Sequence, residues 1–182
     1  MKTVNRATID DLHRVPDNGK AELVNGELVR MSPTRTLPSA ASGAIYASLR
    51  QHQRTVGGGR AYGDNAGFVV DLPHRRSFSP DAAFHRDTRL SMKFAEGAPV
   101  FAAEVRSEGD YGTRAEDEMA RKRADYFAAG TLVVWDVDLL GEDVVRVYRA
   151  SSPEPAIYRR GQVADAEPAV PGWRMSVDEL FE

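Results

Sequence analysis

The sequence of 182 residues contains no cysteine. This absence excludes disulfide bonds, thiol nucleophiles and Cys-ligated zinc or iron–sulfur sites, and it is typical of proteins in a reducing compartment. Long apolar runs are missing as well, since no stretch approaches the roughly 18 apolar residues of a membrane span. The polar start at residues 1–6 also lacks the apolar core of a signal peptide. We therefore expect a cytoplasmic protein that does not insert into a membrane.

A strong charge of one sign is absent too. The formal net charge is −3 and the isoelectric point is about 5.8, so the chain lacks the basic field of many nucleic-acid-binding domains. Any cationic binding surface must therefore be local. The histidines have no metal-ligand spacing, and we interpret them as structural or solvated. They are His13, His52, His74 and His85.

The clearest local signal is a hairpin near the start of the chain. Two short apolar runs, Ala21–Val24 and residues 27–31, flank Asn25-Gly26. This dipeptide is the strongest sequence signal for a two-residue turn between antiparallel strands. The pattern predicts an N-terminal β-hairpin with Glu22 on its first strand.

The remaining pattern predicts one domain over residues 1–182, a mixed α/β (α+β) sheet with helices packed on it. Helices are predicted from Thr8 to about Pro16, and over residues 39–53 and 113–129. Strands are predicted over residues 68–70, 78–84, 100–105, 132–137, 144–148 and 157–158.

Two acidic residues lie within neighbouring predicted strands. Asp81 follows Ser79-Pro80, and Glu104 interrupts the apolar run at residues 100–105. The two carboxylates can converge at one sheet edge, and magnesium usually takes one or two protein carboxylates plus waters and phosphate oxygens. The alternative is that both acids are surface residues at strand ends.

A buried Glu104 would be costly unless a metal or a cation compensates its charge. The candidates for an ordinary salt bridge are Arg106 and Lys122. Lys122 precedes Tyr126 by one helical turn, so the two share a face, and the helix could deliver one cation to the acids. The alternative for this lysine is a solvated position on the helix surface.

Other basic residues near these acids are candidates for sequence-independent contacts with phosphate. They are Arg75, Arg76, Arg114, Arg121 and Arg123. The alternative is a solvated surface of mixed charge, because acids at residues 116–118 stand close by.

Several segments occur in an order that matches a known family. They are the hairpin segment at residues 21–33, Pro80-Asp81, Glu104-Val105-Arg106-Ser107, the helix segment at residues 122–130, and Val134-Trp135-Asp136-Val137-Asp138. In this order they resemble the Uma-two family of bacterial endonucleases, which belongs to the PD-(D/E)XK restriction-endonuclease-like superfamily. Each motif alone is weak, but the ordered set is specific. It runs from about Ile9 to Trp173-Arg174.

The resemblance implies a restriction-endonuclease-like core and magnesium-dependent hydrolysis of nucleic-acid phosphodiester bonds, with DNA as the favoured substrate and Mn²⁺ as a substitute metal. By position, Asp81 and Glu104 would bind the metal together with the backbone carbonyl of Val105. Glu22 would complete the acidic cluster, directly or through water. Relatives of this fold often pair, so a homodimer is expected on the same ground.

The resemblance also implies a catalytic lysine. In the superfamily it normally lies two residues after the second acid, where this chain has Arg106, and the family supplies it from the following helix, here as Lys122. A guanidinium stays protonated and cannot act as a base, although Arg106 and Arg123 are candidates for binding phosphate. We favour Lys122 as the catalytic cation and keep Arg106 as the alternative.

One departure from the family supports an alternative to the nuclease, although all four charged positions are retained. Many relatives carry a histidine at the start of the helix after the Ser32-Pro33 turn, and residues 36–41 of this chain contain none. The alternative function is a catalytically weak or inactive relative that binds nucleic acid or a protein through the same fold. A third possibility, paired carboxylates acting on a sugar, has no sequence feature in its favour.

Overall fold

The structure is a computed structural model, and it describes residues 6–182. The polar start, for which the sequence predicts no signal peptide, lies outside the described residues except for residue 6. The helices are α1 (Ile9–His13), α2 (Thr36–Thr55) and α3 (Thr113–Ala128), with 3₁₀ turns at Pro16–Asn18 and Val177–Phe181. Over residues 6–182, the helices are too short or too polar to cross a membrane.

The strands are short, and in chain order they carry the labels β1 to β13. They are β1 (Ala21–Val24), β2 (Glu27–Arg30), β3 (Arg60–Tyr62), β4 (Phe68–Val69), β5 (Ser77–Phe78), β6 (Ala82–His85), β7 (Ala95–Glu96), β8 (Phe101–Val105), β9 (Val133–Val137), β10 (Val145–Arg149), β11 (Ala156–Tyr158), β12 (Val163–Asp165) and β13 (Arg174–Ser176).

A mixed sheet forms the centre of the fold. Its strand order is β11-β10-β9-β8-β6-β3. The β8–β9 pair is parallel and the other pairs are antiparallel. Residues 6–182 also form three smaller sheets, which consist of β1-β2, of β12-β13 and of β5-β4-β7. The prediction of a mixed sheet with helices is confirmed, whereas the single domain over residues 1–182 stays a prediction.

The N-terminal hairpin is present as predicted. Asn25 and Gly26 have φ values of 53° and 79°, the left-handed pair that a tight hairpin turn requires. Glu22 pairs with Val29 across the hairpin. Leu23 packs below it against Leu12, which joins the hairpin to α1.

The strand predicted over residues 78–84 is divided in the structure. β5 ends at Phe78, β6 begins at Ala82, and the two belong to different sheets. Pro80 lies between them, and a proline cannot donate a hydrogen bond to a strand ladder. The break leaves Asp81 at the entrance of β6, where its N–H donates to the carbonyl of Ala103 at 3.1 Å.

Helices cover the two faces of the central sheet. On one face, α2 contributes Ile45 and Leu49 to a core around Trp135. On the other face, Tyr126 of α3 stacks on Phe78 with ring centroids 4.0 Å apart. Because side chains alternate along a strand, the residues of β8 divide between these two cores.

Two glycines test the packing around α2 and β6. A Cβ at Gly59 would stand 2.5 Å from the carbonyl oxygen of His85, whereas a Cβ at Gly43 on α2 would have no atom within 4 Å. We expect Gly59→Ala to lower the free energy of unfolding by about 1–3 kcal/mol through overpacking. Gly43→Ala should raise it by about 0.5–1 kcal/mol through helix propensity. Urea unfolding measures both, and a Gly59→Ala protein as stable as the wild type would contradict the packing.

Candidate active site

The structure brings the four predicted site residues together. Glu22, Asp81, Glu104 and Lys122 line one groove of about 1040 Å³. The hairpin β1–β2 and the segment that follows it form one wall, and α3 forms the other. Each residue comes from a different element, so the site depends on the assembled fold.

The central sheet places the two predicted metal ligands on the same face. Ala83 of β6 and Ala102 of β8 belong to the core under α3, so Asp81 and Glu104, each two residues away, lie on that face by alternation. The N–H of Val105 donates to Oδ2 of Asp81 at 2.7 Å. This hydrogen bond fixes the Asp81 carboxylate against the end of β8.

Lys122 joins the hairpin to the sheet from α3. Its Nζ lies 2.9 Å from the Glu104 carboxylate and 3.0 Å from Oε1 of Glu22. One turn later, the Tyr126 hydroxyl donates to Oε1 of Glu104 at 2.6 Å. Glu104 is therefore paired with Lys122 rather than with Arg106, through the helix face that the sequence spacing predicted.

The electrostatics of this cluster keep Lys122 charged. Burial alone would lower the pKa of Lys122, but the carboxylates of Glu104 and Glu22 raise it above its ordinary value. Burial, together with the charges of Asp81 and Glu22, raises the pKa of Glu104 even though Lys122 opposes the shift. Burial likewise opposes ionisation of Glu22, yet Lys122 and Arg75 lower its pKa.

Arg75 is a second cationic partner of Glu22, on the side chain's other oxygen. Its guanidinium donates to Oε2 of Glu22 and, through Nε, to Oδ2 of Asp125 at 2.7 Å. Its side chain is only 9% exposed. His74 approaches the other oxygen of Asp125, with Nε2 at 2.7 Å. Sequence reasoning treated Arg75 as a candidate phosphate contact and missed Asp125, although Asp125 lies three residues after Lys122 and therefore on the same helix face.

Sequence reasoning also missed Lys20. This residue directly precedes β1, and its Nζ lies 2.6 Å from Oδ1 of Asp81 and 2.7 Å from Oδ1 of Asp64. Its side chain is 13% exposed. The period of two in a strand places Lys20 on the same side as Glu22, and that signal was present in the sequence.

Comparison with known families agrees with the ordered motifs. The family described as "Uma2: Putative restriction endonuclease" matches residues 9–178. This chain belongs to the Uma2 family. The resemblance inferred from the motifs is thereby confirmed. Among functionally curated proteins, none matches the sequence significantly.

The fold of this Uma2 chain is similar to that of solved structures, including the following one. It is the crystal structure of a protein described as a putative nuclease belonging to DUF820, from Anabaena variabilis. The similarity covers 96% of this chain and 97% of the other, with a TM-score of 0.74 and 17% sequence identity. At this identity the likeness shows the fold, and it supports the predicted fold class.

The two candidate phosphate contacts differ in their surroundings. Arg106 donates from Nε and Nη2 to the two carboxylate oxygens of Asp136, both at 2.7 Å, and it also pairs with Glu116. Its side chain is 5% exposed. Arg123 lines the groove with its guanidinium 3.6 Å from the ring centroid of Tyr148. Both residues line the groove, but the partners of Arg106 are acids, whereas Arg123 stacks on an aromatic ring.

The donor set suits a magnesium ion that keeps part of its hydration. Within the part of the chain that the structure describes, no three His, Cys, Asp or Glu side chains form a group that could hold a metal. Magnesium does not need such a group, since one or two carboxylates with waters and phosphate oxygens suffice. Asp81 and Glu104 supply two hard oxygen donors, and Val105 also lines the groove. These residues therefore fit the ion.

Substitutions at two neighbouring arginines test whether Arg75 stabilises the buried carboxylates of Glu22 and Asp125. Arg75→Ala would leave the buried carboxylates of Glu22 and Asp125 without their shared cation, and we expect it to lower the free energy of unfolding by about 3–5 kcal/mol. Arg76 is the matched control, because its side chain is 50% exposed and pairs with the exposed Asp71. Arg76→Ala should change the stability by less than about 0.5 kcal/mol. Equal losses in urea unfolding would refute a special role for Arg75.

Proposed function

We propose that this protein is a Mg²⁺-dependent nuclease that hydrolyses phosphodiester bonds of DNA. The observation that carries the proposal is the ion pairing of Lys122 with Glu104 and Glu22 in a groove, beside Asp81 on the same sheet face. Membership of a family described as a putative restriction endonuclease supports it, as does the fold shared with a described putative nuclease.

The metal ligands in this proposal are Asp81, Glu104 and the backbone carbonyl of Val105. A bound Mg²⁺, or Mn²⁺ in its place, supplies a water of lowered pKa and offsets charge on the phosphate. Glu22 acts through water or through Lys122, because its carboxylate already accepts hydrogen bonds from Arg75 and from the N–H of Ser79.

Lys122 is the catalytic cation of the proposal. Since its pKa is raised by Glu104 and Glu22, the ammonium stays protonated and does not take a proton from water. It instead orients the attacking water and offsets the charge that develops on the phosphate. Arg106 is the weaker candidate, because Asp136 and Glu116 already hold its guanidinium.

The mouth of the groove supports contact with a nucleic-acid backbone. Arg114, Arg121 and Arg123 line it from α3, and Arg35 lines it from the opposite side. Arg114 pairs with Glu118 and Arg35 with Glu108, but these pairs are exposed, and exposed pairs are weak. The arginines can therefore exchange those partners for phosphates, which would confer salt-dependent affinity without sequence preference.

A second candidate function is a catalytically weak or inactive member of the family that binds nucleic acid or a protein. Two observations favour it. The charges of Asp81 and Glu104 are already compensated by lysines, and α2 begins at Thr36 without the histidine that many relatives carry. Such a protein would bind in the same groove without cleaving.

The choice of DNA, the homodimer and the cytoplasmic location are inferred from the sequence rather than from the site. DNA rather than RNA as the substrate and assembly into a homodimer follow from the family resemblance. A cytoplasmic location is supported by the absence of cysteine.

Cleavage assays with matched variants test the nuclease. We expect Asp81→Asn, Glu104→Gln and Lys122→Met each to reduce the cleavage rate by about 100-fold or more, as removal of a group that stabilises developing charge typically does. The substrates are single- and double-stranded DNA and RNA, each incubated with Mg²⁺, Mn²⁺ or a chelator.

The matched controls are Asp71→Asn and Lys93→Met. Asp71 has a side chain that is 90% exposed and pairs with Arg76, and Lys93 is exposed in the loop before β7. Both variants should cleave as the wild type does. Cleavage that persists in chelator or in Asp81→Asn would overturn the assigned site, and binding without any cleavage would favour the second candidate function.

A binding assay in a cleavage-deficient variant tests whether the arginines at the groove mouth contact nucleic acid. In the Asp81→Asn background, Arg114→Ala with Arg121→Ala should weaken binding to double-stranded DNA. The slope of log affinity against log salt should fall by about 2, since each phosphate contact contributes about 0.9. Arg54→Ala is the control, because Arg54 is exposed on α2 at the other face of the sheet. Fluorescence anisotropy across a salt series measures the slopes, and equal slopes would place the nucleic acid elsewhere.

A further inference from the structure

We infer that Lys20 is an internal counter-ion of Asp81, and that a divalent cation binds only when Lys20 leaves that carboxylate. The inference rests on the proposed function, because it concerns the same metal site. It assigns a role to a residue that the sequence motifs do not include.

The contacts of Asp81 lead to this inference. Oδ2 accepts the N–H of Val105 at 2.7 Å, and Oδ1 accepts the Lys20 ammonium at 2.6 Å. The side chains of Lys20 and Asp81 are each only 13% exposed. Both oxygens thus have a donor, and the Val105 N–H belongs to the backbone of the sheet. Lys20 is the partner that can move.

An ammonium and a divalent cation cannot share Oδ1 at low cost. A magnesium ion binds a carboxylate oxygen at about 2.0–2.1 Å, so its centre would lie within a few ångströms of the Lys20 nitrogen. Like charges at such a separation repel strongly where water is largely excluded. The cation therefore competes with Lys20 for Asp81.

Asp64 provides the alternative partner for Lys20. Its Oδ1 already accepts Lys20 at 2.7 Å, and its side chain is 37% exposed. The same oxygen accepts the N–H of Asn65 at 2.7 Å, which fixes the carboxylate. Lys20 can consequently leave Asp81 and keep one ionic contact. It would then remain at the groove, where an ammonium can contact a phosphate of the substrate.

Lys122 differs from Lys20 in this respect. Its two partners, Glu22 and Glu104, lie on two elements that it holds together. Lys20 instead pairs one predicted metal ligand with one residue outside the predicted metal site. Lys122 on α3 therefore joins two elements, whereas Lys20 before β1 is the cation that can exchange with a metal ion.

Direct titration with Mn²⁺ tests the competition without relying on activity. Free Mn²⁺ is followed by electron paramagnetic resonance for the wild type, Lys20→Met, Lys20→Gln, Lys93→Met and Asp81→Asn. We expect both Lys20 variants to bind Mn²⁺ about tenfold more tightly or better, which corresponds to about 1.4 kcal/mol. Lys93→Met removes the same charge at a residue that does not line the groove, and it should match the wild type. Asp81→Asn should abolish the site.

A double-mutant cycle with Asp64→Asn tests the alternative partner. Within residues 6–182 the other ion pair of Lys20 is the one with Asp81, so Asp64→Asn should hold Lys20 on Asp81 and weaken Mn²⁺ binding in the wild type. In the Lys20→Met background the same change should have a clearly smaller effect, because only the loss of a nearby negative charge remains. Additive effects would mean that Asp64 does not receive Lys20.

The outcomes separate this inference from the function on which it rests. If Mn²⁺ binds the wild type and Asp81→Asn abolishes binding, while both Lys20 variants bind no more tightly, the inference is wrong and the metal site stands. If no protein binds Mn²⁺ in an Asp81-dependent way, both are wrong. Circular dichroism melts establish whether the Lys20 variants are folded. If Lys20→Met is unfolded, the Mn²⁺ affinity of Lys20→Gln tests the inference.

Discussion

The fold and the candidate site both depend on how two glutamates are compensated by one lysine. Glu22 comes from the hairpin, Glu104 from the central sheet and Lys122 from α3, and the three charged groups meet within 3.0 Å contacts. A carboxylate removed from water is costly unless a cation accompanies it. Packing these elements together without pairing the charges would therefore be costly. The residues that join the hairpin, the sheet and α3 also line the groove.

The surroundings of this cluster restrict its motion. Tyr126 donates to Glu104 and stacks on Phe78, while Arg75 ties Glu22 to Asp125. Lys122, Asp125 and Tyr126 all lie on α3, so one helix fixes three contacts at once. Groups held in this way need little reorganisation when charge develops on a substrate, which is the main source of electrostatic catalysis. The same rigidity would serve a binding protein equally well.

The sequence predicted those features that depend on residues close together in the chain. Asn25-Gly26 specified the hairpin because few residues adopt the left-handed turn, and an acid within an apolar run singled out Glu104. The sequence did not reveal Lys20 with Asp64 or Arg75 with Glu22, which are separated by 44 and 53 residues. Such partners meet only in the folded chain. Some strands of two or three residues, β3 and β7 among them, were also missed, because a strand this short shows no alternation.

The position of the lysine shows why matching residues by order is insufficient. Arg106 stands where the superfamily places its lysine, but Asp136 lies in register with Glu104 on the neighbouring strand and holds the guanidinium through two hydrogen bonds. The ammonium beside Glu104 comes from a different element, since Lys122 pairs with that carboxylate at 2.9 Å. Since α3 packs on the sheet face that carries Glu104, Lys122 reaches that place from the helix. Arg106 can therefore form the buried ion pair with Asp136.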